Sequence, residues 1–168
     1  IGGDLRKPKL HEDFKVDATK GLSSFLINKS ELSEVIEKTE IDTLDVIASG
    51  PTPPNPAELL DSTKMKDLIR ELNKTYDYVI IDTPPIGLVT DGVILMQYSD
   101  VNLYVVRHNY SKAKALSIIN SLYTQKQVKN IHIIINDFKQ SSSGYGYGYG
   151  YGYGYGSSGY GYYETDDE

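Results

Sequence analysis

The sequence predicts an α/β fold, a parallel sheet flanked by helices on both faces. Three observations carry that reading. Short apolar runs rich in Val, Ile and Tyr occur at Leu44–Ala48, Tyr78–Ile81, Val101–Val106 and Ile131–Ile135. None of them alternates strictly with polar residues, as a half-solvated strand would. Amphipathic helical patterns lie between the runs, and strands alternating with helices build parallel sheets whose ligands bind at the carboxyl ends of the strands.

Taken in order, Ile1–Gly3 reads as the end of a further strand. The chain starts with Ile1 rather than Met, directly ahead of that strand end, and so reads as a piece cut inside a domain. Asn55-Pro56-Ala57-Glu58 offers an N-cap, a proline at the first helical position and a glutamate in the first turn. Ser62 offers a second cap, followed by Met65, Leu68, Ile69 and Leu72 on one helical face. Asp91 is placed to cap Gly92–Tyr98, and Ser111 to cap a helix carrying Ala115, Leu116, Ile119 and Leu122. Removing a central strand and its helix from such a sheet would leave an apolar edge, so poor solubility is expected for residues 1–168 alone.

The chain has 168 residues, 17 basic and 23 acidic, for a net charge of −6 and no cysteine. That balance gives no basic footprint for nucleic acid, and the missing cysteines exclude disulfides, thiolate zinc sites and cysteine nucleophiles. No apolar run reaches the roughly 20 residues of a membrane span, and no secretory signal is visible. The body, residues 1–140, is long enough to bury about two-thirds of its extended-chain surface. Residues 141–168 form a tail with nine of the 15 tyrosines, nine of the 15 glycines and four acids but no Lys or Arg. Gly and Tyr alternate strictly from Gly144 to Gly156. Glycine at every second position opposes a fixed conformation, so the tail is expected to be disordered.

Two acids sit where a parallel sheet presents ligands. In Tyr78-Val79-Ile80-Ile81-Asp82-Thr83-Pro84-Pro85 an apolar strand delivers Asp82 to its carboxyl end, and two prolines turn the chain away. Such a carboxylate suits a magnesium ion that also takes phosphate oxygens, or it caps a loop. Asp4 ends the Ile1–Gly3 strand, with Arg6 and Lys7 directly after it. Two strand-end carboxylates beside cations suit a metal-bound polyphosphate. His11, His108 and His132 lack metal-ligand spacing and receive no role.

Asp4-Leu5-Arg6-Lys7-Pro8, Gly21-Leu22-Ser23, Ser49-Gly50-Pro51-Thr52-Pro53-Pro54-Asn55-Pro56-Ala57-Glu58-Leu59-Leu60, Asp82-Thr83-Pro84-Pro85, Thr90-Asp91 and the terminal tyrosines, in that order, resemble the bacterial tyrosine kinases of capsule and exopolysaccharide export. The resemblance covers essentially the whole chain. It implies an ATP-dependent kinase on a P-loop NTPase fold of the MinD and ParA type, with ATP and Mg2+ as cofactors. Asp4 matches the second acid of the Walker A-prime motif and Asp82 the Walker B aspartate, so both would be catalytic residues acting on metal and phosphates. Asn136, at the end of the last run, would contact adenine as in related ATPases, or simply turn the chain ahead of Asp137. Arg107 is read as a rim residue, Asp91 as a helix cap, and the Asn55–Leu60 stretch as structural or inter-subunit.

The same resemblance implies phospho-acceptors at Tyr145, Tyr147, Tyr149, Tyr151, Tyr153, Tyr155, Tyr160, Tyr162 and Tyr163, presented to a neighbouring subunit of a homo-oligomeric ring. A membrane activator or fused polysaccharide co-polymerase region and a cognate tyrosine phosphatase would be partners. The location would be the cytoplasmic face of the inner membrane. Two departures stand out. The family's Gly-rich phosphate loop would precede Ile1, so residues 1–140 read as the C-terminal part of a kinase domain, inactive alone. The family's first Walker A-prime acid falls on Gly2, leaving Asp4 as base or leaving the transfer with little base help. The competing readings are an ATPase switch of the MinD and ParA type, an inactive substrate or scaffold, and a low-complexity tail that only stacks.

Overall fold

In the computed structural model, residues 1–87 and 90–138 are described, and they belong to one unit, Ile1–Phe138. Seven helices and four strands follow one another among them: α1 Leu10–Phe14, α2 Leu22–Leu26, α3 Leu32–Val35, β1 Glu37–Lys38, β2 Asp45–Val46, α4 Pro56–Leu60, α5 Thr63–Thr75, α6 Asp91–Met96, β3 Asn102–Arg107, α7 Ala113–Thr124 and β4 Ile131–Asn136. The residues assigned to the tail lie outside the described set.

The α/β reading holds, with parallel pairing in two places. β3 and β4 pair in parallel from Asn102 opposite Ile131 to Arg107 opposite Asn136. Ile1–Gly3 lies between two other segments. On one side the Ile1 amine donates to the Ile80 carbonyl at 2.7 Å, the Asp82 N–H to the Ile1 carbonyl at 2.9 Å, and the Gly3 N–H to the Asp82 carbonyl at 2.8 Å. On the other, the Gly2 N–H reaches the Ile47 carbonyl at 2.8 Å, and Ser49 Oγ donates to the Gly2 carbonyl at 2.9 Å.

The longest helix forms as its sequence dictates. Ser62 Oγ accepts the Met65 N–H at 3.2 Å, satisfying one of the open donors of the first turn of α5. Met65, Leu68, Ile69 and Leu72 then fall on one face, and all four are buried. They pack with Leu5, Leu22, Leu26, Val35, Ile47, Leu60 and Leu95 into the main core. A second, smaller cluster joins Met96 of α6 to Ile119 of α7 and Val128. Helix α6 therefore touches both cores.

Several local expectations are corrected. The Leu44–Ala48 run supplies only Asp45–Val46 to a ladder, and that ladder is antiparallel, to Glu37–Lys38. The cause is a tight return: Thr39 Oγ1 donates to the Leu44 carbonyl at 2.8 Å, and Lys38 Nζ pairs with Asp45 Oδ2 at 2.7 Å. The Tyr78–Ile81 run forms no extended ladder and makes a single parallel bridge, Asp82 with Gly2. Asn55 caps nothing with its side chain; its amide donates to Glu58 Oε2 at 2.7 Å, and Pro56 still opens α4. Ser111 does not cap α7, because its Oγ accepts the Arg107 N–H at 2.8 Å.

The sheet is also less covered than continuous apolar runs suggest. Tyr78 is 87% and Ile80 75% exposed, and Leu103, Val105, Ile133 and Ile135 are exposed as well. An apolar cleft of about 270 Å³, lined by Ile1, Leu10, Phe14, Leu72, Val79 and Ile80 among others, opens beside Tyr78.

Tyr76 ends the polar side of that cleft. Its hydroxyl donates to Asp45 Oδ2 at 2.6 Å, beside Lys38. The bond to the Asp45 carboxylate, helped by burial, pushes the phenol up to about 12. A folded-state pKa above the unfolded value of about 10 means stability present below pH 10 and lost as pH rises through 12. Tyr76→Phe should cost about 1 kcal/mol at pH 8. Urea unfolding at pH 8 and pH 11.5 should show the gap between the two proteins narrowing at the higher pH.

Candidate active site at two strand ends

Asp4 follows directly from the Ile1–Gly3 ladder and is buried. Its Oδ1 accepts the backbone N–H groups of Arg6 and Lys7, each at 3.0 Å, which folds residues 4–7 into a tight turn around the carboxylate. Asp82 stands at the end of the adjoining segment, where it bridges Gly2, two residues before Asp4. It reaches solvent, yet surrounding protein pushes its carboxyl above the usual range, and the negative charge of Asp4 pushes it further. Asp13 of α1 adds a smaller push in the same direction. The structure thus brings together the two carboxylates that the strand-end argument singled out.

Close backbone approach makes this possible. A Cβ on Gly3 would meet the Asp82 carbonyl at 2.6 Å and Leu95 Cδ1 at 2.7 Å. A Cβ on Gly2 would meet Ser49 Oγ at 2.6 Å and Ser49 N at 3.0 Å. Gly2 occupies the place of the first Walker A-prime acid in the resemblance, and here that place holds no room for a side chain. Gly2→Asp is accordingly expected to destabilise the protein by about 1–3 kcal/mol. Thermal melts check it.

Asp91 is the residue that sequence reasoning placed wrongly. It is the first residue of α6, 0% exposed, and its carboxylate caps no backbone group of that helix. Instead Arg6 Nε donates to Asp91 Oδ2 at 2.7 Å and Arg6 Nη2 to Asp91 Oδ1 at 3.1 Å, a bidentate pair. The hydrogen bond to Asp91 raises the already high pKa of the Arg6 guanidinium. Nothing in the local pattern of either segment signals a contact across 85 residues.

The donor chemistry fits magnesium. Two hard oxygen donors repel one another at one strand edge, a repulsion that a divalent cation relieves. Among the described residues no group of three or more His, Cys, Asp or Glu could hold a metal by itself.

The remaining residues fall elsewhere. Asn136 ends β4, is exposed, and its Oδ1 accepts the Asp137 N–H at 2.8 Å, the geometry of a turn residue. No hydrogen bond or ion pair among the described residues joins it to Asp4 or Asp82. Arg107 pairs with Asp137 at 2.9 Å on the surface, a rim position. The acceptor tyrosines Tyr145 to Tyr163 lie outside the described residues.

Residues 9–139 match the AAA domain family. The chain belongs to that family. Within the family it is similar to the bacterial tyrosine kinases, whose catalytic domains have a MinD-like fold. It is 44% identical over 145 residues to tyrosine-protein kinase ptk of Acinetobacter johnsonii, covering 86% of this chain and 20% of that protein. The solved kinase domain of Escherichia coli tyrosine kinase ETK superposes with a TM-score of 0.78 at 38% identity, covering 90% of this chain and 60% of that domain. The septum site-determining protein MinD of Pyrococcus horikoshii, solved with Mg-ADP, superposes with a TM-score of 0.65 at 21% identity and shows the fold alone. The chain therefore spans a fifth of the ptk protein and three-fifths of the solved ETK kinase domain. Among the described residues no helix is long and apolar enough to cross a membrane.

Proposed function

We propose that this chain is part of a protein-tyrosine kinase that transfers the γ-phosphoryl group of ATP to tyrosines of its own C-terminal cluster. The observation that carries the reading is the Asp4–Asp82 pair, two carboxylates at adjoining strand ends, with Asp4 two residues past the Gly2–Asp82 bridge and its charge acting on Asp82. The tyrosine-kinase names of the relatives support it, as does a tail with nine tyrosines and no cation. In the transfer, the bond from the γ-phosphorus to its bridging oxygen breaks as a bond from the tyrosine oxygen forms. ADP leaves, and the phenolic proton is released. Bound magnesium would neutralise charge on the phosphates. Asp4 and Asp82 would hold it, Asp4 with its carboxylate oriented by the Arg6 and Lys7 amides.

Each added phosphate brings about −1.5 to −2 charge to a tail with no Lys or Arg. Self-repulsion then extends the tail and weakens its hold on an acidic site, a switch for releasing neighbouring subunits of a ring. Regulation of capsular or exopolysaccharide export, at the inner face of the membrane and reversed by a tyrosine phosphatase, fits that switch.

The test is intact mass of the full-length protein after incubation with ATP and Mg2+, beside Asp82→Asn and a deletion from Ser141. Several added phosphates are expected on the unmodified protein, none on the tail deletion, and a rate lower by about 100-fold or more in Asp82→Asn. ATP binding without phosphotyrosine would favour the ATPase-switch reading instead.

A further inference from the structure

We infer that Arg6 and Asp91 are positioning residues that set the metal affinity of the Asp4–Asp82 pair through helix α6. The inference rests on the proposal that this pair holds magnesium. Arg6 does two things at once: its backbone N–H binds Asp4 Oδ1 at 3.0 Å, and its guanidinium grips the wholly buried Asp91 at 2.7 and 3.1 Å. The orientation of one metal-facing carboxylate is thereby tied to the first turn of α6.

The same helix supports the other carboxylate. Leu95 lies against Gly3, with its Cδ1 2.7 Å from where a Gly3 side chain would begin, and Gly3 is bonded to Asp82. A Cβ on Gly92 would meet the Pro84 carbonyl oxygen at 3.0 Å, just past the Asp82 strand end. Asp91, Gly92 and Leu95 therefore fix the Asp4 turn, the loop after Asp82 and the strand between them. Magnesium tolerates little departure from octahedral geometry, so a slackened Asp4 turn shows first as lost metal affinity. Without Asp91 the Arg6 side chain, already 43% exposed, is released to solvent.

The experiment titrates Mn2+ by electron paramagnetic resonance into full-length protein with saturating ADP, for unmodified protein, Asp91→Asn, Arg6→Gln and Arg6→Lys. ADP affinity in EDTA and melting temperature are measured alongside. Asp91→Asn and Arg6→Gln are expected to weaken Mn2+ binding by about 10–100-fold, with metal-free ADP affinity within about twofold. Arg6→Lys keeps the charge but loses the two-pronged grip, so it folds and falls between. Mn2+ affinity within about twofold of the unmodified protein in all three variants, whatever their melting temperatures, overturns the inference; if Asp91→Asn or Arg6→Gln fails to fold, Arg6→Lys decides it. Unmodified protein that binds Mn2+ but transfers no phosphate sinks the kinase proposal alone, and the titration still decides the role of Arg6. Unmodified protein that binds no Mn2+ overturns the inference too.

Discussion

Gly21→Ala is expected to leave little folded protein. A Cβ at Gly21 would stand 2.4 Å from the Ala48 carbonyl oxygen, 2.4 Å from Gly50 N and 2.8 Å from Gly50 Cα, all backbone atoms that cannot rotate away. Two hydrogen bonds hold the segments that close together: Leu22 N–H to Ala48 carbonyl at 2.7 Å and Ser23 N–H to Ser49 carbonyl at 2.9 Å. Ser23 Oγ adds a third, to the Pro51 carbonyl at 2.7 Å. Making room for one methyl means parting them, at more than about 3 kcal/mol, out of a total stability of only about 5–15 kcal/mol. Gly87→Ala is the control, because the nearest atom to its new Cβ is Ile118 Cδ1 at 3.7 Å. Its unfolding midpoint should move by no more than about 0.5 kcal/mol. A normal midpoint for Gly21→Ala would show that the two segments separate freely.

The second large effect is asymmetric. Arg6→Met strips both hydrogen bonds from a carboxylate that is 0% exposed and leaves it charged in the interior, at about 3–5 kcal/mol. Removing the charge as well, in Arg6→Met with Asp91→Leu, should recover most of that loss, because two apolar groups need no partner. Denaturant unfolding of the two single variants and the double gives the coupling directly. Additive losses would mean that the pair is not a unit.

Those two results touch what was and was not legible in the sequence. Helix α5 was readable whole, because Ser62, Met65, Leu68, Ile69 and Leu72 encode start and face within 11 residues, and local periodicity is what a chain writes plainly. The Asp4 and Asp82 strand ends were readable for a related reason: an apolar run, an acid, then prolines mark where a strand stops. Asp91 was misread as a cap because Asp at a helix start most often caps, whereas its real partner lies 85 residues away and leaves no periodic trace. Ser111 and Asn55 failed similarly, each having found a nearer partner than the helix end. The antiparallel β1–β2 turn was missed because two-residue strands carry too few residues for any period.

The hydrogen bonds between Ile1–Gly3 and Ile80–Asp82 have a consequence for how the protein is made. Gly2 and Asp82 are 80 residues apart in the chain. At the roughly 5–20 residues per second of translation, the first strand waits about 4–16 s for its partner to emerge. The Ile47–Ser49 side, which bonds the other edge of Gly2, emerges earlier. Contacts of such long sequence separation close slowly. The site carboxylates therefore come together late, after α5 and most of its core have been synthesised, and a nascent chain stopped before Tyr78 carries Asp4 without Asp82 beside it.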